Sequence, residues 1–176
     1  MFISYRREDA SGFAGRLHDD LTEHFGPARV FRDVETIEPG ADFADVIGKS
    51  LESCRAFVAV IGREWVVSSD GRRRLDDPTD WVRVEVAAAI ERDGVTVLPV
   101  LVEGVSMPEA DELPEPLRPL TRYNALEVSD SRWDYDVQRL VDRLEAAVGR
   151  GQARRRARLR RVLVPRSAGG AAARLL

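Results

Sequence analysis

The sequence has little cysteine and no long apolar run. Cys54 is the single cysteine among 176 residues, which excludes an internal disulfide framework and favours a reducing compartment, the cytoplasm. Cys54 precedes an apolar run, which favours a small core residue over a reactive thiol. No run of about 18 apolar residues predicts a membrane span, and the early charges of MFISYRRED do not resemble a secretory signal peptide.

The motifs of several common site types are also missing. The sequence contains no GxGxxG or GxxxxGK[ST] phosphate loop and no GxSxG nucleophile turn. Its two histidines, His18 and His24, fall on or near one predicted helix, far from any cysteine, so we expect solvated side chains and no metal.

Charge is distributed unevenly along the chain. Residues 149–176 hold nine arginines and no acid, which leaves 18 basic against 30 acidic residues in 1–148, a net charge of −12. An acidic body is not typical of a nucleic-acid-binding protein. We predict one domain over 1–148 and a basic Arg/Ala/Gly-rich tail over 149–176, a disordered linker or the flank of a membrane or partner segment beyond it.

Valine-rich runs alternate with helical patterns. The predicted strands are MFISY (1–5), ARVFRD (28–33), RAFVAVIG (55–62), VTVLPVLV (95–102) and NALEVS (124–129). Two of these runs are continuously apolar, as in strands buried on both faces of a parallel sheet. The pattern predicts an α/β fold with a parallel sheet and helices on both faces, whose ligands bind beyond the carboxyl ends of the strands.

Helices are predicted between the strands from their apolar spacing. The first carries Phe13, Leu17, Leu21 and Phe25, with Ser11 as N-cap and Gly26 as stop; the second carries Phe43, Val46, Ile47 and Leu51; the third spans 78–93; a short turn lies at 113–120; the last runs from Val137 to Val148 after residues 129–131.

Two predicted loops carry charged residues after strands. In SYRRED (4–9), Tyr5 and Arg6 can face a phosphate, or the loop is a solvated charged turn. In RDVETIEPGADF (32–43), Asp33 and Glu35 can bind ribose hydroxyls, or they are surface charges.

The stretch DDPTDWVRVE (76–85) predicts a helix start with Asp77 as N-cap and Pro78 at the first position. Trp81 and Glu85 lie one turn apart at the margin of the apolar stripe. A carboxylate there is partly desolvated and is a functional candidate, although such pairs are also common as structural features.

In order, FISYRRED, RDVETIEPGADF and DWVRVE resemble the Toll/interleukin-1 receptor (TIR) domains, above all the bacterial and animal members that cleave NAD. The resemblance covers about residues 1–148. It implies a flavodoxin-like three-layer fold with a central five-stranded parallel sheet.

The resemblance further implies an NAD glycohydrolase, a signalling or anti-phage effector that self-association through TIR–TIR contacts activates. NAD is then a consumed substrate, giving nicotinamide and ADP-ribose or a cyclic isomer, and no cofactor is needed. The residues that match the family's site are Glu85 as the catalytic group and Tyr5, Arg6, Asp33, Glu35 and Trp81 as substrate-binding residues.

Two other functions compete with this one. A non-enzymatic TIR scaffold binds partners through the loop at 33–43, but many scaffolds lack the Trp81/Glu85 pair. A phosphorylated receiver domain needs an acidic pair directly after the first strand and an aspartate after the third; IGREW (61–65) has no aspartate.

Overall fold

The computed structural model describes residues 1–32, 51 and 54–163, with side chains described up to residue 149. Five parallel strands form one sheet in the order β2-β1-β3-β4-β5. The strands are β1 (Phe2–Ser4), β2 (Phe31–Arg32), β3 (Ala56–Ile61), β4 (Thr96–Leu101) and β5 (Leu126–Glu127). All five predicted strands are present, so the predicted α/β fold class is confirmed.

The strand order reverses at β1. From β1 the chain passes to β2 on one side and then crosses back to β3 on the other. The loops after β1 and β3 therefore diverge and leave a crevice at the carboxyl ends of these two strands, where doubly wound folds bind ligands.

Each face of the sheet has its own apolar core. Three long helices are described: α1 (Arg7–Phe25), α2 (Trp81–Glu91) and α3 (Trp133–Leu163). Helices α1 and α3 pack on the face that carries Ile3, Val58 and Val100. Helix α2 packs on the opposite face, against Phe57 and Ala59. Every residue of β3 is buried, as its unbroken apolar run predicts.

Helix α1 begins earlier than predicted. It starts at Arg7, so Ser11 is not its N-cap, and Ala10 has non-helical angles (φ −119°, ψ 20°) that kink the first turn. The carbonyl of Arg6 accepts hydrogen bonds from the N–H groups of Asp9 and Ala10. Backbone hydrogen bonds to Arg6, just beyond β1, therefore close the first turn of α1. The apolar spacing begins only at Phe13, so it does not reveal this earlier start.

The last helix runs past its predicted end. The predicted division into a domain over 1–148 and a basic tail over 149–176 stays a prediction. Helix α3 continues to Leu163, so the predicted helix end at residue 148 lies inside it, and residues 149–163 are helical. Arginine, glutamine and alanine, which dominate residues 149–163, favour helix.

Residues 164–176, and the predicted helix residues Phe43, Val46 and Ile47, lie outside the described part of the chain. In that part, no helix is apolar enough over a sufficient length to cross a membrane. The predicted turn at 113–120 is the 3-10 helix Glu115–Arg122.

Gly62, directly after β3, lies against the side chain of Asp9 on α1. A Cβ at this position would overlap the Asp9 carboxylate. One carboxylate oxygen of Asp9, Oδ2, is buried without a hydrogen-bond partner among the described residues. Burial raises the pKa of Asp9, and the nearby carboxylates of Glu103 and Glu64 raise it further.

Because a side chain at position 62 must displace the short Asp9 carboxylate, Gly62→Ala should destabilise the fold by about 2 kcal/mol. The control is Gly12→Ala, where a Cβ meets nothing within 4 Å, and which should stabilise α1 by about 0.5–1 kcal/mol. Urea unfolding measures both. Equal effects of the two substitutions would contradict the close contact.

Candidate active site

A cleft of about 340 Å³ opens at the strand-order reversal, between the loop after β1 and the start of α2. Nine residues line it: Tyr5, Arg6, Arg7, Glu8, Arg74, Asp80, Trp81, Val82 and Glu85. Four of the six predicted site residues are thus brought together. Asp33 and Glu35 lie outside the described residues.

Glu85 lies deep in this cleft. Its side chain projects from the second turn of α2, and the residue is only 4% exposed. Its Oε2 atom accepts a 2.6 Å hydrogen bond from the Ser4 hydroxyl, which is also buried. The bond joins α2 to the end of β1 and holds one carboxylate oxygen in a fixed position.

Arg6 joins three elements below the rim of the cleft. It is 3% exposed, and its two terminal nitrogens donate to both oxygens of Asp80 at 2.9 and 3.2 Å. Its Nε donates to the Trp65 carbonyl, beyond β3, at 2.8 Å. The loop of 4–9 is therefore not simply solvated: Arg6 is a buried, paired cation. Its contact with substrate stays a prediction, and these bonds favour a role in fixing the geometry.

The N-cap of α2 is Asp80, and the predicted cap at Asp77 is wrong. Asp80 Oδ1 accepts from the N–H of Arg83 at 3.0 Å. Asp77 instead accepts from the N–H and hydroxyl of Thr79, at 2.8 and 2.7 Å, in a local turn. These bonds hold the pKa of Asp77 below its usual value. Pro78 precedes the helix and does not occupy its first position.

Two aromatic residues, Tyr5 and Trp81, line the site. Trp81 is 48% exposed at the first position of α2, one turn before Glu85, so its ring can meet a ligand. Tyr5 is mostly buried, and the Arg32 guanidinium lies 5.9 Å from its ring centroid. Exposure of an indole this large at a concave site is typical of ligand binding.

The outer rim is charged. Arg74 Nη1 contacts Glu8 Oε2 at 3.0 Å, and Arg74 Nε lies 4.0 Å from Asp80 Oδ2. The backbone N–H of Glu8 and then the Arg74 guanidinium hold the pKa of Glu8 below its usual value.

The sequence did not point to Ser4, Asp80 as cap, or Arg74. Ser4 had one signal, since it is the polar residue at the end of an otherwise apolar strand. Asp80 has the same local cap signal as Asp77, and its pairing with Arg6 has none, because the two residues are 74 positions apart. Arg74 has none, because its partner Glu8 is 66 residues away along the chain.

Comparison with known proteins decides the family. Residues 1–147 match the family model described as TIR domain. The chain belongs to the TIR domain family. The NAD(+) hydrolase sarm1 of Drosophila melanogaster is 30% identical over 149 residues, covering 82% of this chain and 10% of that protein. This TIR domain thus spans a tenth of that relative's length.

Among solved structures, the TIR domains of the activated Roq1 resistosome, which recognises the pathogen effector XopQ, superpose with a TM-score of 0.58. They are 15% identical and cover 80% of this chain and 96% of that one. This likeness shows the shared TIR fold and agrees with the five-stranded parallel sheet.

Asp80→Ala should destabilise the domain by about 3 kcal/mol, because it removes a helix cap and leaves the Arg6 cation buried without its carboxylate. Asp77→Ala is the matched control, and should cost much less because Asp77 is exposed and lies outside the helix. Urea unfolding followed by circular dichroism compares them. An equal loss in both variants would contradict Asp80 as the cap and as the partner of Arg6.

Proposed function

We propose that this TIR domain is an NAD glycohydrolase, which cleaves the bond between nicotinamide and ribose. One observation carries the proposal: a carboxylate only 4% exposed, Glu85, lies in an open cleft beside the exposed indole of Trp81. The 30% identity to an NAD(+) hydrolase over most of the chain supports the same substrate.

The chemistry needs only one carboxylate. Most glycosidases use a second carboxyl group to protonate a poor leaving group. The nicotinamide of NAD is already cationic, so it departs as a neutral molecule and takes the electron pair of the C–N bond. The ribose carbon that remains is positively charged, and water adds to it with loss of one proton, or a hydroxyl of the substrate adds to give a cyclic product.

Glu85 is suited to stabilise the positive ribose. Charges attract more strongly where water is excluded, and the hydrogen bond from Ser4 fixes the carboxylate before the reaction begins. A preorganised anion of this kind stabilises a transition state without reorganising during the reaction. Trp81 can stack on a flat ring of the substrate, which places the bond to be broken above Glu85.

The wider role rests on the family resemblance. We place the domain among signalling or anti-phage effectors that self-association switches on, acting in the cytoplasm, in keeping with a single, buried cysteine. The assay must therefore include concentrated protein and a crowding agent, so that inactivity of a monomer is not taken for absence of activity.

Glu85→Gln should lower nicotinamide release from NAD by at least about 100-fold, since it removes the anion that stabilises the ribose cation. The control is Glu91→Gln, an exposed glutamate at the end of the same helix, which should keep wild-type activity. Chromatography of nicotinamide measures both. Equal release by all three proteins would contradict the catalytic role of Glu85. No release from wild type under any condition would instead favour a scaffold.

Ser4→Ala should lower kcat for nicotinamide release about tenfold, because a buried hydrogen bond to a charged group is worth roughly 1.5–3 kcal/mol. KM should change little, since Ser4 is buried beneath Glu85. Ser4→Cys, of similar size and with a weak donor, should retain more activity than Ser4→Ala. A rise in KM at constant kcat would contradict a role for Ser4 in holding Glu85.

A further inference from the structure

Three arginines line the cleft, and two of them, Arg6 and Arg74, differ in how firmly they are held. Arg6 is buried, with both terminal nitrogens on Asp80. The Arg74 side chain is 36% exposed; it contacts Glu8, which is 65% exposed, at 3.0 Å, and its Nε lies 4.0 Å from Asp80 Oδ2. An ion pair this exposed contributes little, so Arg74 can exchange Glu8 for an anion that enters the cleft.

The backbone below Arg74 is nevertheless fixed. Arg74 begins the 3-10 helix Arg74–Asp76, and the next residue, Leu75, is fully buried. Arg83 on α2 donates to the carbonyls of Leu75 and Asp76, both at 3.0 Å. An exposed guanidinium on an anchored base loses less entropy when it binds a ligand than one on a mobile loop.

We propose that Arg74 binds the diphosphate of the dinucleotide substrate, and that Glu8 weakens this binding by competing for the same guanidinium. The inference rests on the proposed function, and it names a residue that the family resemblance does not assign. Arg74 and Glu85 line one cleft, so a single ligand can meet Glu85 with its ribose and Arg74 with its phosphates.

The charges of the cleft are compatible with a diphosphate bound at Arg74. Asp80 is neutralised by Arg6 and caps α2, so it adds little repulsion towards an anion. The guanidinium of arginine presents a planar fork that matches phosphate oxygens. The predicted Arg6 contact with the diphosphate is less suited, since that fork is already occupied by Asp80.

The test is steady-state nicotinamide release by Arg74→Gln in the full chain. Loss of one charge-assisted contact should raise KM for NAD about tenfold, with kcat changed by less than about twofold. Nicotinamide riboside, which has no phosphate, should react with the same kcat/KM in wild type and variant. Unchanged KM for NAD, or a fall in kcat at constant KM, would overturn the inference.

Arg73→Gln is the matched control. It removes the same charge one residue away, and Arg73 contacts Asp76 and the Glu112 carbonyl outside the cleft. Its KM for NAD should equal that of wild type, and an equal rise in both variants would mean only a general charge effect and would overturn the inference.

A second variant should change the KM for NAD in the opposite direction. Glu8→Gln removes the competing carboxylate, so KM for NAD should fall about threefold, the size expected for an exposed ion pair. An increase in KM would contradict competition between Glu8 and the diphosphate.

Failure of the proposed function is distinguishable from failure of this inference. If wild type releases no nicotinamide, calorimetric titration of the same variants with NAD still tests Arg74. About tenfold weaker binding by Arg74→Gln but not by Arg73→Gln supports the inference. Equal binding by all three proteins, or no binding by any of them, overturns it.

Discussion

The paired hydrogen bonds between Arg6 and Asp80 determine the shape of the cleft, because each residue stands at the end of a different element. Arg6 follows β1, Asp80 caps α2, and the Nε of Arg6 also binds the carbonyl of Trp65 beyond β3. A buried ion pair adds little net stability, since desolvation offsets its attraction. It does fix the start of α2 relative to two strands. The hydrogen bond from Ser4 to Glu85 also joins the end of β1 to α2, about one turn further along the helix.

Two unfavourable features meet in this cleft, and together they support ligand binding. A carboxylate at 4% exposure, Glu85, loses much of its hydration, and an indole at 48% exposure, Trp81, leaves a large apolar surface in water. At either position, a different residue type would cost less free energy of folding. Departures from the rules of stable folding are expected where a protein binds or reacts. The order of the strands explains why both lie at this one edge of the sheet.

Local pattern predicted the sheet well and the connections between elements less well. The apolar run at Ala56–Ile61 identifies a central strand because burial on both faces needs no other information. The local pattern favours Asp77 as the cap of α2, because two aspartates three residues apart look alike locally. The choice of Asp80 depends on Arg6, 74 residues earlier. Long-range side-chain pairs of this kind leave no periodic signal, which is also why the sequence does not predict the contact of Ser4 with Glu85.

The most direct measurement is a crystal structure of the Glu85→Gln protein with NAD bound, since that variant should bind the substrate without consuming it. The ribose carbon bonded to nicotinamide should lie about 3–3.5 Å from the side chain at position 85, the distance of a reactive geometry. The nicotinamide or another flat ring of NAD should contact Trp81. NAD bound outside the cleft between β1 and α2, with no contact to position 85, would contradict the proposed role of Glu85.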